Sequence, residues 1–159
     1  MANAAGDPYH LERFLEAQRG TYETALAEVR AGRKRSHWMW FVFPQFAGLG
    51  RSSISVRYAI KSRTEAEAYL QHPTLGPRLR EISEAALGVE GRSAHEIFGT
   101  PDDLKLRSCA TLFAEVSAPG SVFEWLLVKY YEGEPDRRTL ELLEVSDRRR
   151  ESLDHEPQV

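Results

Sequence analysis

The residues most suited to ligand chemistry lie in a glycine turn, where two glycines are followed by an arginine and two serines. These residues are Gly48, Gly50, Arg51, Ser52 and Ser53. Glycines let neighbouring backbone N–H groups point toward one place, and a helix that starts at a serine adds free donors and positive potential. The spacing is neither that of a P-loop nor that of a dinucleotide-binding turn, and a tight turn followed by a helix cap explains the same residues. We predict that this turn binds an anion such as phosphate.

An aromatic run, SHWMWFVFPQ, occupies residues 36–45 and precedes the glycine turn. Tryptophans usually pack in the core, but an indole at the edge of a cleft can stack on a base or another planar group. We therefore predict that Trp38, Trp40 and Gln45 bind the ligand, and that His37 beside them acts as a general acid or base. The alternative is that the whole run only packs the core.

Two acids later in the chain complete the candidate catalytic set. Glu65 and Asp103 are, like His37, candidates for acid–base chemistry, such as hydrolysis of a glycosidic or ADP-ribosyl bond. Asp103 is equally explained as an acid in the first turn of a helix, where the helix dipole favours it. The histidines form no HExxH motif and no pair four residues apart, so we predict no metal site and no cofactor. The single cysteine, Cys109, excludes an intramolecular disulfide.

The composition limits which partners are expected. The chain has 159 residues, of which 42% are hydrophobic and 28% charged, and its formal net charge is -3. This size fits one soluble domain, and the lack of a basic excess argues against a nucleic-acid partner. The longest apolar run, residues 38–43, is far too short to span a bilayer, and the first ten residues do not resemble a signal peptide. We therefore expect a cytoplasmic protein that does not bind membranes, while its oligomeric state stays open.

Short helices must position these residues. Apolar residues recur at helical spacing between glycine and proline breaks, and no alternating strand pattern is present for the aromatic run to pair with. We therefore predict an all-α fold of seven to nine short helices with orthogonal-type packing, including a short buried helix within residues 36–45. The domain is predicted to span residues 7–145, between a loose N-terminus (residues 1–6) and a charged, flexible tail (residues 146–159).

The aromatic run, followed by Gly48-Leu49-Gly50, resembles the signature of an uncharacterised bacterial and fungal family, the domain of unknown function 1810. Other matching pieces are Tyr58-Ala59-Ile60, His72-Pro73-Thr74-Leu75-Gly76 and Phe98-Gly99. The resemblance covers residues 7–145. It implies a compact, mostly helical single domain, and it implies no established activity.

Two functions stay open as alternatives. In the first, the protein binds a phosphate-bearing or nucleotide-like small molecule in a cleft between the aromatic run, the glycine turn and the helix of Asp103, and hydrolyses a glycosidic or ADP-ribosyl bond there. A loose likeness to helical NADAR-type domains, without a shared motif, underlies the ADP-ribosyl version. In the second, the protein is a non-catalytic peptide- or protein-interaction module with an apolar groove. A cleft with hydroxyls and cations would favour the first function, and a broad apolar groove the second.

Overall fold

Helices form the regular secondary structure of residues 6–154, the part of the chain that the computed structural model describes. In chain order they are α1 (Glu12–Gln18), α2 (Tyr22–Arg30), α3 (Met39–Val42), α4 (Ser53–Arg57), α5 (Arg63–Gln71), α6 (Leu75–Leu87), α7 (Ala94–Phe98), α8 (Asp102–Glu115), α9 (Val122–Tyr131) and α10 (Arg137–Asp154). The described residues contain no strand, and an isolated parallel β-bridge joins Phe46 to Ile60. The predicted all-α class is confirmed. The count over residues 6–154 is ten helices rather than seven to nine.

Helices α6, α8 and α9 form the most extensively packed part of the core, which also takes in buried side chains of α1, α2, α5 and the aromatic run. Helix α9 packs against α6 and α8, and α8 also contacts α5, α7 and α10. The facing sides of these helices are apolar at helical spacing, so their removal from water stabilises the packing. Buried side chains in this region include Leu79, Leu106, Leu112, Phe113 and Leu126. The thiol of Cys109 lies in the same core, where burial raises its pKa and leaves it inert.

Helix α10 extends further than the sequence predicts. The expected end is residue 145, but the helix continues to Asp154. Two contacts with α5 hold the added turns, since Asp147 forms an ion pair of 3.1 Å with Arg63 and Arg150 donates a hydrogen bond to Thr64. The prediction that residues 146–154 lie beyond the last helix is therefore wrong. Residues 1–5 and 155–159, which complete the predicted loose terminus and tail, lie outside the described residues.

Residues 31–62, which we call the loop segment, join α2 to α5 and contain little helix. Only α3, α4 and the β-bridge are regular here, so many backbone groups need partners from other parts of the chain. The short buried helix predicted within the aromatic run is present as α3, which has four residues and begins after Trp38. Polar side chains from α1, α2 and α5 supply several of the missing partners, and they shape the candidate site.

Candidate functional site

The loop segment lines a cavity of about 250 Å³, which we call the aromatic pocket. Its lining is largely apolar, with a few polar groups and one cation. The aromatic and polar lining residues are Trp40, Gln45, Phe46, Ser55, Tyr58 and Lys61, and Gly48 and Gly50 line it as well. A concave, mostly apolar surface with a few polar groups is typical of a small-molecule site.

The β-bridge brings together two stretches of chain that line the aromatic pocket. The N–H of Ile60 donates to the carbonyl of Gln45 at 2.9 Å, and the N–H of Ala47 donates to the carbonyl of Ile60 at 2.8 Å. These bonds hold residues 45–47 beside residues 58–61. The pocket therefore has a defined wall although no sheet is present in the described residues.

The glycine turn is shaped by close packing, which explains why it needs glycines. A Cβ added at Gly50 would lie 2.6 Å from the Cβ of Ser55, closer than side-chain atoms normally approach. Gly48 has a φ of 102°, a conformation that favours glycine, and the side chain of Leu142 in α10 packs against it. The turn thus has a structural reason for both glycines, besides their position in the pocket lining.

The ring of Trp40 is held from outside the loop segment by a lysine of α8. The Nζ of Lys105 lies 4.5 Å from the centroid of the indole, within the range of a cation–π interaction. Lys105 also forms an ion pair of 3.2 Å with Asp102, so its position is fixed on two sides. Trp40 is half-buried, and it presents part of its ring to the aromatic pocket.

A buried arginine of α1 holds the backbone around Tyr58, another residue that lines the aromatic pocket. Arg13 is only 6% exposed. Its Nε donates to the carbonyl of Arg57 at 2.8 Å, and its Nη2 donates to the carbonyl of Ala59 at 2.9 Å. The same Nη2 forms an ion pair of 2.9 Å with Glu65. Directional hydrogen bonds of this kind fix the backbone on either side of Tyr58, which lines the pocket.

Glu65 is a structural partner of Arg13 rather than a catalytic acid, which corrects its predicted role. It is 3% exposed. One carboxylate oxygen accepts from Arg13, and the other accepts from the backbone N–H of Lys61 at 3.2 Å. A buried carboxylate whose two oxygens are both bonded inside the protein cannot reach a substrate.

Trp38 is also corrected, because it is fully buried and cannot stack on a ligand. Its Nε1 donates to the carboxylate of Glu28 at 3.0 Å. The same carboxylate accepts from the backbone N–H groups of Arg35 at 2.7 Å and Ser36 at 3.0 Å. Partial burial works to raise the pKa of Glu28, but the hydrogen bonds from Ser36, Arg35 and Trp38 outweigh it and lower the pKa to about 2. Glu28 therefore anchors the start of the aromatic run as a carboxylate.

The predicted ligand-binding residues divide into two groups. Trp40, Gln45, Gly48 and Gly50 line the aromatic pocket, whereas three predicted phosphate contacts do not. These three are Arg51, Ser52 and Ser53. The hydroxyl of Ser52 is used inside the protein, since it caps α4 by accepting from the N–H of Ser55 at 3.2 Å. Helix α4 has only five residues, so its start offers little dipole for an anion.

The two remaining catalytic candidates lie outside the aromatic pocket as well. His37 is exposed and does not line it. Asp103 lies in the first turn of α8, where its carboxylate is 3.3 Å from the hydroxyl of Thr100 and 3.7 Å from Nδ1 of His95. Among the described residues, no hydrogen bond or ion pair joins His37, Glu65 or Asp103 to one another. The predicted catalytic set is therefore not assembled at this pocket.

Sequence reasoning missed the wall formed by residues 55–61. Ser55, Tyr58 and Lys61 line the aromatic pocket, but none of them belongs to a motif with recognisable chemistry. A signal was present, because Tyr58-Ala59-Ile60 is one of the pieces that resemble the family. That string shows that the stretch matters without showing what it contacts.

The described part of the chain offers neither a cluster of metal ligands nor a membrane-spanning helix. No group of three or more histidine, cysteine, aspartate or glutamate residues is arranged to hold a metal ion. No helix in residues 6–154 combines the length and the apolar character needed to cross a bilayer.

The fold and the aromatic run now identify the class of protein. The family described as "Protein of unknown function (DUF1810)" matches residues 8–143, so the chain belongs to this family. The resemblance suggested by the aromatic run is confirmed. Among curated proteins, no relative matches the chain.

A solved structure supports the same fold. The chain is similar to the conserved hypothetical protein Rv1873 from Mycobacterium tuberculosis, known from a crystal structure, with 56% sequence identity and a TM-score of 0.85. The match covers 87% of this chain and 99% of that chain. At this identity the two proteins share the helical architecture.

Proposed function

We propose that this protein binds a nucleotide-like small molecule, with the flat ring of the ligand in the aromatic pocket. The observation that carries the proposal is the pocket lining, in which the half-buried indole of Trp40 and the ring of Tyr58 line one cavity together with the cation Lys61. Base–aromatic stacking contributes about 1–3 kcal/mol per base. An aromatic cavity beside a positive charge suits a ring that carries an anionic group.

The size and polarity of the aromatic pocket narrow the ligand class. Its volume of about 250 Å³ lies below the range of about 300–1,000 Å³ that is usual for drug-sized ligands. A single base or a ring of similar size therefore fits better than a dinucleotide. Gln45 and Ser55 supply donors and acceptors in the lining that can read the edge of such a ring.

The proposal is limited to binding and does not include hydrolysis. A general acid or base must come within about 2.6–3.2 Å of the atom it serves, directly or through one water. None of the lining residues is an aspartate, a glutamate or a histidine. A hydrolytic step in this pocket would lack the carboxylates on which glycosidic cleavage depends.

The test is calorimetry and tryptophan fluorescence with adenosine, guanosine, uridine and nicotinamide as probes. We expect at least one probe to bind, and we expect Trp40→Leu to weaken that binding about tenfold or more. The matched control is Trp125→Leu. Trp125 is 55% exposed on α9 and does not line the pocket, so its replacement should leave affinity unchanged. Melting curves of both variants separate lost binding from lost folding.

Two results would contradict the proposal. The first is that no probe binds the wild-type protein at about 1 mM, the limit of very weak affinity. The second is that Trp125→Leu weakens binding as much as Trp40→Leu does. The second result would place the ligand outside the aromatic pocket. The first result would favour the interaction-module alternative, for which the exposed apolar side chains of Trp125 and Val128 on α9 would be the first surface to examine.

A further inference from the structure

A second cavity, of about 320 Å³, adjoins the aromatic pocket and shares Val56 and Lys61 with it. We call it the cationic cavity. Its lining residues are Tyr9, His10, Arg13, Val56, Arg57 and Lys61. The lining contains two arginines, one lysine and one histidine, but no acidic residue. A local excess of basic groups in a chain with a net charge of -3 indicates a place where anions are favoured.

Arg13 holds the backbone that forms this cavity, and it is not the charge that would bind a ligand. Its Nη1 donates to the carbonyls of Tyr9 and His10, both at 2.8 Å, in addition to the bonds of its Nε and Nη2 described above. All five N–H donors of the guanidinium are therefore used inside the protein. The ion pair with Glu65 also neutralises the charge of Arg13.

Arg57 and Lys61 are the charges that remain available. Both side chains are exposed, and neither forms an ion pair among residues 6–152, whose side chains the structure describes. The guanidinium of Arg57 lies 5.6 Å from the ring centroid of Tyr58, which places it beside a residue that lines the aromatic pocket. The nearby acids Asp7 and Glu12 line a different cavity.

The geometry points to the cationic cavity as the anion subsite of the ligand whose ring occupies the aromatic pocket. This inference rests on the proposed function and specifies it, because it makes the ligand a phosphate ester of a flat ring, such as a nucleoside monophosphate. Lys61 lines both cavities, so it can contact the ligand where the ring joins the phosphate. Arg57 contacts the phosphate alone. The anion site therefore lies at residues 57–61 and not at the glycine turn.

The test compares each nucleoside with its 5′-monophosphate, and includes inorganic phosphate and pyrophosphate as probes without a ring. Calorimetry is run at low salt on the wild-type protein and on Arg57→Gln and Lys61→Gln. The matched control is Arg51→Gln, since Arg51 is also exposed but lines neither cavity. All three side chains lie at the surface, and melting curves verify that each variant folds.

We expect the phosphate group to strengthen binding of the wild-type protein about tenfold, the effect of one good charge-assisted contact. Arg57→Gln should remove most of that gain and leave nucleoside affinity unchanged, and Arg51→Gln should change neither. Raising the salt concentration should weaken the monophosphate but not the nucleoside, because exposed charges are screened.

Three outcomes are decisive, and they separate this inference from the proposed function. If a nucleoside and its monophosphate bind equally well, or if Arg51→Gln removes the gain and Arg57→Gln does not, the subsite is overturned and the ring pocket stands. If phosphate or pyrophosphate binds in a manner that depends on Arg57 while no nucleoside binds, the subsite stands and the proposed function fails. If neither class of probe binds, both are overturned.

Discussion

The helical core and the loop segment are stabilised in different ways. In the core, α6, α8 and α9 bury apolar side chains against one another, as Leu112, Phe113 and Leu126 show. The loop segment also buries apolar side chains such as Trp38 and Phe43 in the core, but its backbone is in addition held by polar side chains that reach in from helices. Arg13 binds the carbonyls of residues 57 and 59, Gln18 donates to the carbonyl of Phe41 at 2.7 Å, and Glu28 anchors residues 35–38.

This difference explains how the wall of a pocket can be well defined without regular secondary structure. Apolar packing is non-directional, so it tolerates exchange between side chains of similar size. Hydrogen bonds depend on direction and distance, so a conservative change at a polar anchor removes several of them together. We therefore expect the loop segment to be the region that is more sensitive to conservative substitution.

The largest effect is expected at the buried arginine. Arg13→Met should lower the free energy of unfolding by about 3–5 kcal/mol, because it leaves Glu65 buried and without its charged partner. Urea denaturation measures the change. The matched variant is the double substitution of Arg13→Met with Glu65→Leu, which should recover part of the lost free energy of unfolding. Recovery should stay incomplete, because four backbone carbonyls still lack the donor that Arg13 provides.

A double variant as stable as the wild-type protein would contradict this account of Arg13. It would show that the carbonyls of the loop segment find other partners at no cost. The loop segment would then be no more sensitive than the helical core to the loss of Arg13.

A smaller effect is expected at Glu28, and it should depend on pH. Glu28→Gln should cost about 2 kcal/mol at pH 7, since the carboxylate accepts several hydrogen bonds. The pKa of Glu28 is lowered from 4.5 to about 2 in the folded protein. Its contribution is therefore fully present above pH 4.5 and is lost as the pH falls toward 2. Denaturation curves at pH 7 and pH 3 should show the wild-type and variant proteins converging at the lower pH.

The control for this prediction is Glu23→Gln, an exposed acid on the same helix. It should change stability little at either pH, because an exposed carboxylate gains little from its surroundings. If the difference between Glu28→Gln and the wild-type protein stayed constant down to pH 3, the anchor would not depend on the charge of Glu28.

The smallest loss of stability is expected from a conservative substitution in the helical core. Phe113 is fully buried between Tyr69 and Phe123, with ring centroids 5.5 and 5.7 Å away. Phe113→Leu keeps an apolar side chain of similar reach and should cost less than about 1.5 kcal/mol. Phe113→Ala is the matched larger change and should cost about 3–5 kcal/mol. A loss from Phe113→Leu as large as that from Arg13→Met would reverse the comparison.

The fold could be predicted to a large extent because its signals are local. The apolar residues of α6, α8 and α9 repeat at helical spacing within single stretches of chain, so the apolar face of each helix is visible in the sequence. The end of α10 could not be predicted in this way. Its added turns depend on α5, where Arg63 contacts Asp147 from 84 positions away, and a propensity for disorder in a charged stretch says nothing of such a partner.

The candidate site could be predicted only in part. Trp40 and Gln45 line the pocket as expected, but the sequence could not distinguish Trp40 from Trp38, two residues away in the same run. Glu65 was predicted as a catalytic acid because carboxylates have that chemistry. Its partner Arg13 lies 52 positions earlier, and this pairing changes Glu65 from a reactive group into a structural one.

The sequence by itself determined the helical class, the short helix in the aromatic run and the family, since each of these depends on residue order within a short window. The tertiary structure alone decided which indole of the aromatic run lines the pocket, which carboxylate is neutralised and which cations of the pocket walls form no ion pair among the described residues. Those properties depend on burial and on charges brought together from distant positions, and the free energies of both are set by what surrounds a side chain in space. For that reason Trp40 and Gln45 could be selected from the sequence, whereas Tyr58, Arg57 and Lys61 became candidates only once the chain was folded.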